Sequence, residues 1–195
     1  MSDNFKSTVM YKKGEIAEKI IDELIVSKGI WIPYKSIVDG GHPFDRLIAR
    51  RDKKEIMIID VKALNERKYY PDTGISIDHY SEYKDLQDKY SIRVFLFFVD
   101  GKLGEVYGGY LDELDKETQI EVRGKIVSYP LKEKNFSAVG HYIIYFPLEL
   151  MKRNIKKLTE DEVQELKEYS NEGYKKDMDN RRGINEYRQM KDNNA

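Results

Sequence analysis

Within the run Glu55-Ile56-Met57-Ile58-Ile59-Asp60-Val61-Lys62-Ala63-Leu64, a carboxylate, Asp60, and an ammonium, Lys62, stand two residues apart. The run opens with the apolar residues of a buried strand. Side chains alternate faces along a strand, so Asp60 and Lys62 point the same way while Val61 points into the opposite layer. An acid and a base therefore sit together at the end of a strand otherwise suited to a core. Burying either charge alone costs roughly several kcal/mol or forces a large pKa shift. The pair calls for a partner, either each other or a bound cation and an anionic substrate.

The elements around this run must bring the partners to it. Phe44-Asp45-Arg46-Leu47-Ile48-Ala49 reads as a strand, Arg50-Arg51-Asp52-Lys53-Lys54 as a charged hairpin turn and Glu55–Val61 as the returning strand. In a hairpin the start of the first strand lies beside the end of the second. Asp45 is thereby brought close to Asp60 and Lys62, despite a separation of 60 − 45 = 15 residues. Upstream, Lys13-Gly14 opens a predicted helix to about Lys28, with Ile16, Ile20, Ile21, Leu24 and Ile25 at helical spacing and Gly29 as the stop. Glu18 borders that apolar stripe and is placed to face inward, with Glu15 as an alternative.

Downstream, residues 65–73 read as a polar, aromatic loop carrying Arg67, Lys68, Tyr69 and Tyr70. A helix follows from about Ser76 to Tyr90, then an apolar strand over Ile92–Val99 and another over Gly104–Leu111. Gln119–Tyr129 and His141–Phe146 read as two more strands, joined by a polar loop over Lys132–Ala138. Thr159-x-x-Glu162 is a capping box opening a helix to about Tyr169, and the chain beyond Asn171 is polar and charged. This division predicts a main domain over 1–150 and a charged helical extension over 151–195.

Composition limits the function classes. The chain has 195 residues, no cysteine and a formal net charge of −1. Disulfides and thiolate metal sites are excluded, and a reducing compartment is expected. No apolar run reaches the length of a membrane span, and Met1-Ser2-Asp3-Asn4-Phe5-Lys6 lacks the core of a signal peptide, so the expectation is a soluble cytoplasmic protein. The small net charge argues against indiscriminate binding of polyanions. Residues 1–70, which hold the Asp-Val-Lys stretch, carry 14 basic and 11 acidic side chains, against 9 and 14 in residues 71–150.

With a helical acid, a strand-start acid and Asp60-Val61-Lys62 in this order, the chain resembles the PD-(D/E)XK nuclease superfamily over roughly residues 13–100. Pro43-Phe44-Asp45 stands where that family has its Pro-Asp element, with one residue inserted, and Asp60-Val61-Lys62 matches its second motif. Gly14-Glu15-Ile16-Ala17-Glu18 is similar to the first-helix acid of the Holliday-junction-resolvase branch and of phage-type nucleases. The resemblance implies an α/β fold with a restriction-endonuclease-like core, a mixed central sheet flanked by helices. It also implies Mg²⁺-dependent hydrolysis of DNA phosphodiesters, with Mn²⁺ able to substitute. Asp45, Asp60, Glu18 and the carbonyl of Val61 would hold the metal, and Lys62 would assist the attacking water. A phage, plasmid or defence setting is implied by the resemblance alone.

Other residues carry weaker signals. Arg67 and Lys68 read as substrate ligands, cations for phosphates beside rings that stack bases, or equally as an ordinary solvated loop. Gln87 is placed to reach the site from the second predicted helix, whereas Tyr80 and Tyr83 read as packing. His42 and His79 read as turn chemistry rather than ligands, and His141 as without a role. The Lys152–Lys157 and Lys175–Arg182 clusters read as solvated helical faces. Two further functions stay open: a nuclease-fold protein that binds nucleic acid or a protein partner without cutting, and an interaction module in which Asp60 and Lys62 are merely an ion pair. DNA form and the choice between monomer and homodimer are not resolved by the sequence.

Overall fold

In chain order the computed structural model has helix α1 (Val9–Lys28) and strands β1 (Trp31–Tyr34), β2 (Arg46–Arg50), β3 (Ile56–Lys62) and β4 (Asp72–Ser76). Helix α2 (Ile77–Tyr90), strands β5 (Arg93–Asp100) and β6 (Glu105–Tyr110) and the short helix α3 (Leu111–Leu114) follow. Strands β7 (Thr118–Val122), β8 (Lys125–Tyr129), β9 (Leu131–Lys134), β10 (Tyr142–Pro147) and β11 (Lys152–Lys157) lead to helix α4 over 160–169. The structure describes residues 9–34, 44–52, 54–134 and 142–169. His42, Pro43, His141 and the Lys175–Arg182 cluster lie outside the described residues.

The apolar run with Asp60 is β3, inside a six-stranded sheet of order β1-β2-β3-β5-β6-β11. β3 and β5 run parallel, and the other neighbours pair antiparallel. A mixed sheet flanked by helices is the fold class expected from the sequence. Alternation along β3 divides two cores. Met57, Ile59 and Val61 face α1 and pack with Ile16, Ile20, Ile21 and Leu24. Ile58 faces the other way, into a layer with Tyr83 of α2, Val94, Leu96 and Phe98 of β5, and Ile75, Ile144 and Phe146 of a second sheet, β4-β10-β9. Asp60 shares that second face. Among the described residues no helix is long and apolar enough to cross a membrane.

Several sequence expectations need correction. α1 begins at Val9, earlier than Lys13. The chain expected to be loop up to Thr73 enters β4 at Asp72. What read as one strand over Gln119–Tyr129 is the hairpin β7–β8, closed by Arg123-Gly124 with φ of 53° and 74°. Part of the Lys132–Ala138 loop is β9.

Lys152–Lys157 is not a helical face. It is β11, an edge strand of the main sheet paired with β6. Arg153 is drawn onto the sheet by an ion pair with the buried Glu105, and Ile155 packs against the α1 core. Lysines along such an edge discourage further strand pairing. The capping box is present: Glu162 N–H donates to Thr159 Oγ1 at 3.2 Å and Thr159 N–H to Glu162 Oε2 at 2.8 Å. Leu166 of α4 lies in the α1 core. Residues 151–169 thus add an edge strand to the main sheet and apolar side chains to its α1 core.

Two glycines are required by close approach; a Cβ on Gly74 of β4 would lie 2.3 Å from the Ile144 carbonyl oxygen. A Cβ on Gly108 of β6 would lie 2.1 Å from the Leu96 carbonyl oxygen of β5, whereas one on Gly14 of α1 would meet nothing within 4 Å. Gly108→Ala is expected to lower the unfolding free energy by roughly 1–3 kcal/mol. Gly14→Ala should raise it by about 1 kcal/mol or less. Urea melts of the two variants beside the parent chain check the contrast.

Candidate active site

The geometry begins with strand register. β2 and β3 pair Arg46 with Ile59 and Leu47 with Ile58, and one further step sets Asp45 opposite Asp60. Asp45 is pinned there, its Oδ2 accepting the Val61 N–H at 2.6 Å. Lys62 Nζ lies 2.8 Å from Asp60 Oδ2. Lys62 is the ionic partner of that buried oxygen, and the Tyr83 hydroxyl also bonds to Asp60. Asp60 is only 2% exposed and Lys62 half-buried. Asp60 is thus paired with Lys62, while Asp45 is held by the Val61 N–H and feels the Lys62 charge without touching it.

Electrostatics follow from that crowding. Burial is the main cause lifting the Asp60 pKa above the usual carboxylate range; Lys62 and the Tyr83 hydroxyl oppose the rise, and the charge of Glu18 adds to it. Asp45 is pushed up to about 6, first by burial and then by Asp60, against the Val61 N–H, Lys62 and Arg46. Tyr83 is raised in turn by its burial and by Asp60.

On the opposite face of the sheet a second charge cluster faces α1. Arg46 is 4% exposed and donates from Nε and Nη2 to Asp22 at 3.0 and 2.8 Å and from Nη2 to Glu18 at 3.0 Å. It also donates to the Asp45 carbonyl at 2.7 Å. Burial works against its charge, and Asp22 and Glu18 outweigh burial and raise its pKa. Glu18, expected beside the metal, is thus tied to Arg46 on the α1 side while remaining near enough to influence Asp60. Among the described residues no three His, Asp or Glu side chains converge closely enough to form a ready metal cage. The side chain of Val61 points into the α1 core, as its place in the alternation requires.

Helix α2 contributes residues that sequence reasoning treated as packing or turn chemistry. Tyr83 covers Asp60, and His79, one turn earlier, stacks on Tyr83 with ring centroids 6.0 Å apart. Burial and then the Lys62 charge lower the His79 pKa. The i, i+4 spacing of His79, Tyr83 and Gln87 was the available signal, since it lays all three along one helix face. Gln87 Oε1 is buried with no hydrogen-bond partner among the described residues.

The two loop cations separate. Arg67 spends its guanidinium internally: Nε and Nη2 donate to Asp72 at 2.5 and 2.6 Å, and Nη1 to Glu133 at 2.5 Å. Its plane also lies over Tyr145 and Tyr70. A substrate role for Arg67 would require breaking these bonds. Lys68 is exposed, with Nζ 5.1 Å from the centroid of Tyr69.

No protein-family model matches the chain, and no curated protein matches it. A solved structure with some likeness is that of Archaeoglobus fulgidus Hjc, described as a Holliday junction resolvase from an archaeal hyperthermophile. The match has 13% identity and a TM-score of 0.38, covering 52% of this chain and 79% of that one. A likeness of that extent carries no conclusion about activity.

The raised pKa of Asp45 has a measurable consequence. Protonated Asp45 stabilises the fold fully below its ordinary value of 3.8, and that contribution is lost as pH rises through about 6. Asp45→Asn keeps an oxygen for the Val61 N–H but cannot ionise. Relative to the parent chain, it is expected to gain roughly 2 kcal/mol between pH 4 and pH 8. Urea unfolding across that range measures the difference, and a flat difference would overturn the assignment.

Proposed function

We propose that this chain is a divalent-metal-dependent deoxyribonuclease that hydrolyses phosphodiester bonds at the site around Asp60. One observation carries the reading: two carboxylates, Asp45 and the buried Asp60, lie beside one ammonium, that of Lys62, which pairs with Asp60. The imbalance suits a hard divalent cation, because Mg²⁺ takes one or two carboxylates and retains waters. Asp45, Asp60 and the Val61 carbonyl are the proposed ligands, with Mn²⁺ able to substitute. Glu18 would complete the set only by giving up its bond to Arg46. When bound, the cation supplies Lewis-acid polarisation of the phosphate and a water of lowered pKa.

The remaining roles belong to the chain itself. Lys62, held on the same face by Asp60, is aimed to donate to a phosphate oxygen and to stabilise the charge that grows on it. The Val61 N–H keeps Asp45 in place, and Tyr83 closes the apolar side of Asp60 against water. A non-cutting nucleic-acid binder is the second reading, favoured by the commitment of Glu18 to Arg46.

The test uses a supercoiled plasmid and labelled duplex, single-stranded and branched DNA with Mg²⁺, Mn²⁺ or EDTA. Cleavage should require metal and fall at least about a hundredfold in Asp60→Ala and in Lys62→Ala. Binding without products in every metal would instead support the second reading. Mn²⁺ should also raise the melting temperature of the parent chain more at pH 8 than at pH 5, where Asp45 is largely protonated.

A further inference from the structure

The loop that leaves the proposed site and the tip of the β7–β8 hairpin meet at one exposed ring. Tyr69 is 54% exposed, with Lys68 Nζ 5.1 Å and the Arg123 guanidinium 4.8 Å from its centroid. Among the described residues, Lys68, Arg123 and the neighbouring Lys125 form no ion pair, whereas nearby Glu66 is paired with Lys102 and Glu133 with Arg67. Glu121 lies on the opposite face of the hairpin from Val122 and Lys125. The result is a cationic ridge around an aromatic face, in a chain whose net charge is only −1.

A buried hub holds the ridge in place. Asp72 is fully buried, takes two bonds from Arg67, and accepts the Tyr129 hydroxyl at 2.7 Å. Arg67 closes its own loop, since its N–H also donates to the Asp72 carbonyl at 3.0 Å. Tyr129 belongs to β8, so the same carboxylate fixes the loop and the hairpin to each other. Arg123 sits at the hairpin tip with φ of 53°, a left-handed conformation that Asn or Gly adopts at less cost. A long cation at this position works against the turn, and the side chain is what distinguishes it from the residues the turn favours.

We propose that Lys68, Tyr69 and Arg123 form an anchoring subsite for an unpaired stretch of DNA, in which a cation that lies over the Tyr69 ring moves to a flanking phosphate and a base stacks in its place. This rests on the nuclease reading above and names the form of substrate. Stacking on an aromatic ring suits any unpaired base, and local cations bind the backbone without sequence preference. Lys68 is six residues beyond Lys62, so the subsite lies within roughly 20 Å of the reacting phosphate, a span of a few nucleotides.

The experiment is fluorescence anisotropy of the full chain with a labelled single-stranded oligonucleotide and a blunt duplex, in EDTA so that nothing is cut. Melting curves and a salt series accompany it. Tyr69→Ala is expected to weaken single-strand binding about tenfold and duplex binding less than twofold, while Tyr69→Phe stays near the parent value. Arg123→Asn, which suits the turn better, should hold or raise the melting temperature yet weaken binding, with the slope of log K against log salt falling by about one. Parent-like single-strand affinity in Tyr69→Ala and Arg123→Asn overturns the subsite, as does a lowered melting temperature in Arg123→Asn without a change in salt slope. If the parent chain cuts DNA while both variants bind normally, only the subsite falls. If the parent neither binds nor cuts, the nuclease reading falls with it.

Discussion

Asp60 ends the central strand of an apolar sheet with almost no access to water, and its environment must compensate for that position. A carboxylate there can be neutralised by a proton, an ammonium or a metal ion. Lys62 supplies one positive charge, and Asp45, delivered by the register of the same hairpin, supplies a second negative one. Burial lifts both carboxyl pKa values first, and the charge of Asp60 lifts that of Asp45 further. Across the sheet the same ratio recurs, with Glu18 and Asp22 sharing Arg46. Two carboxylates to each cation on both faces of one hairpin end leave a concentrated negative field where the strands finish.

Neutralisation of this kind depends on rigidity, and the second charge network provides it on the loop side. Arg67 and Asp72 form a bidentate pair between aromatic rings, and Tyr129 adds the hairpin to it. Bidentate guanidinium–carboxylate contacts fix orientation as well as distance. Loop, hairpin and the β4-β10-β9 sheet are therefore tied to one another through Asp72, Tyr129 and Glu133. At the far edge, β11 and α4 complete the main sheet and the α1 core, so the C-terminal part of the described chain is structural.

Much of the scaffold was legible because its signals are local. The continuous apolar run before Asp60 marked β3, the 3.6 period marked α1 and α2, and the Thr159–Glu162 box marked the start of α4. The nearness of Asp45 to Asp60 was legible too, because a short hairpin leaves little freedom in what its ends can face. Less was legible where a strand lacks an apolar pattern of its own. Lys152–Lys157 becomes a strand through its pairing with β6 and the pull of Glu105 on Arg153. β4 and β9 likewise depend on β10, which lies far along the chain from β4.

The amino-acid order by itself determined the central hairpin, the alternation that turns Asp60 and Lys62 to one face, and the helix that packs behind them. Only the tertiary structure decided which charge takes which partner. It gave Arg67 to Asp72 and Glu133, tied Glu18 to Arg46, laid Tyr83 over Asp60 and carried Arg123 to Tyr69. Backbone periodicity is set by neighbours in sequence, whereas ion pairs and stacked rings are chosen among groups that only folding brings within a few ångströms.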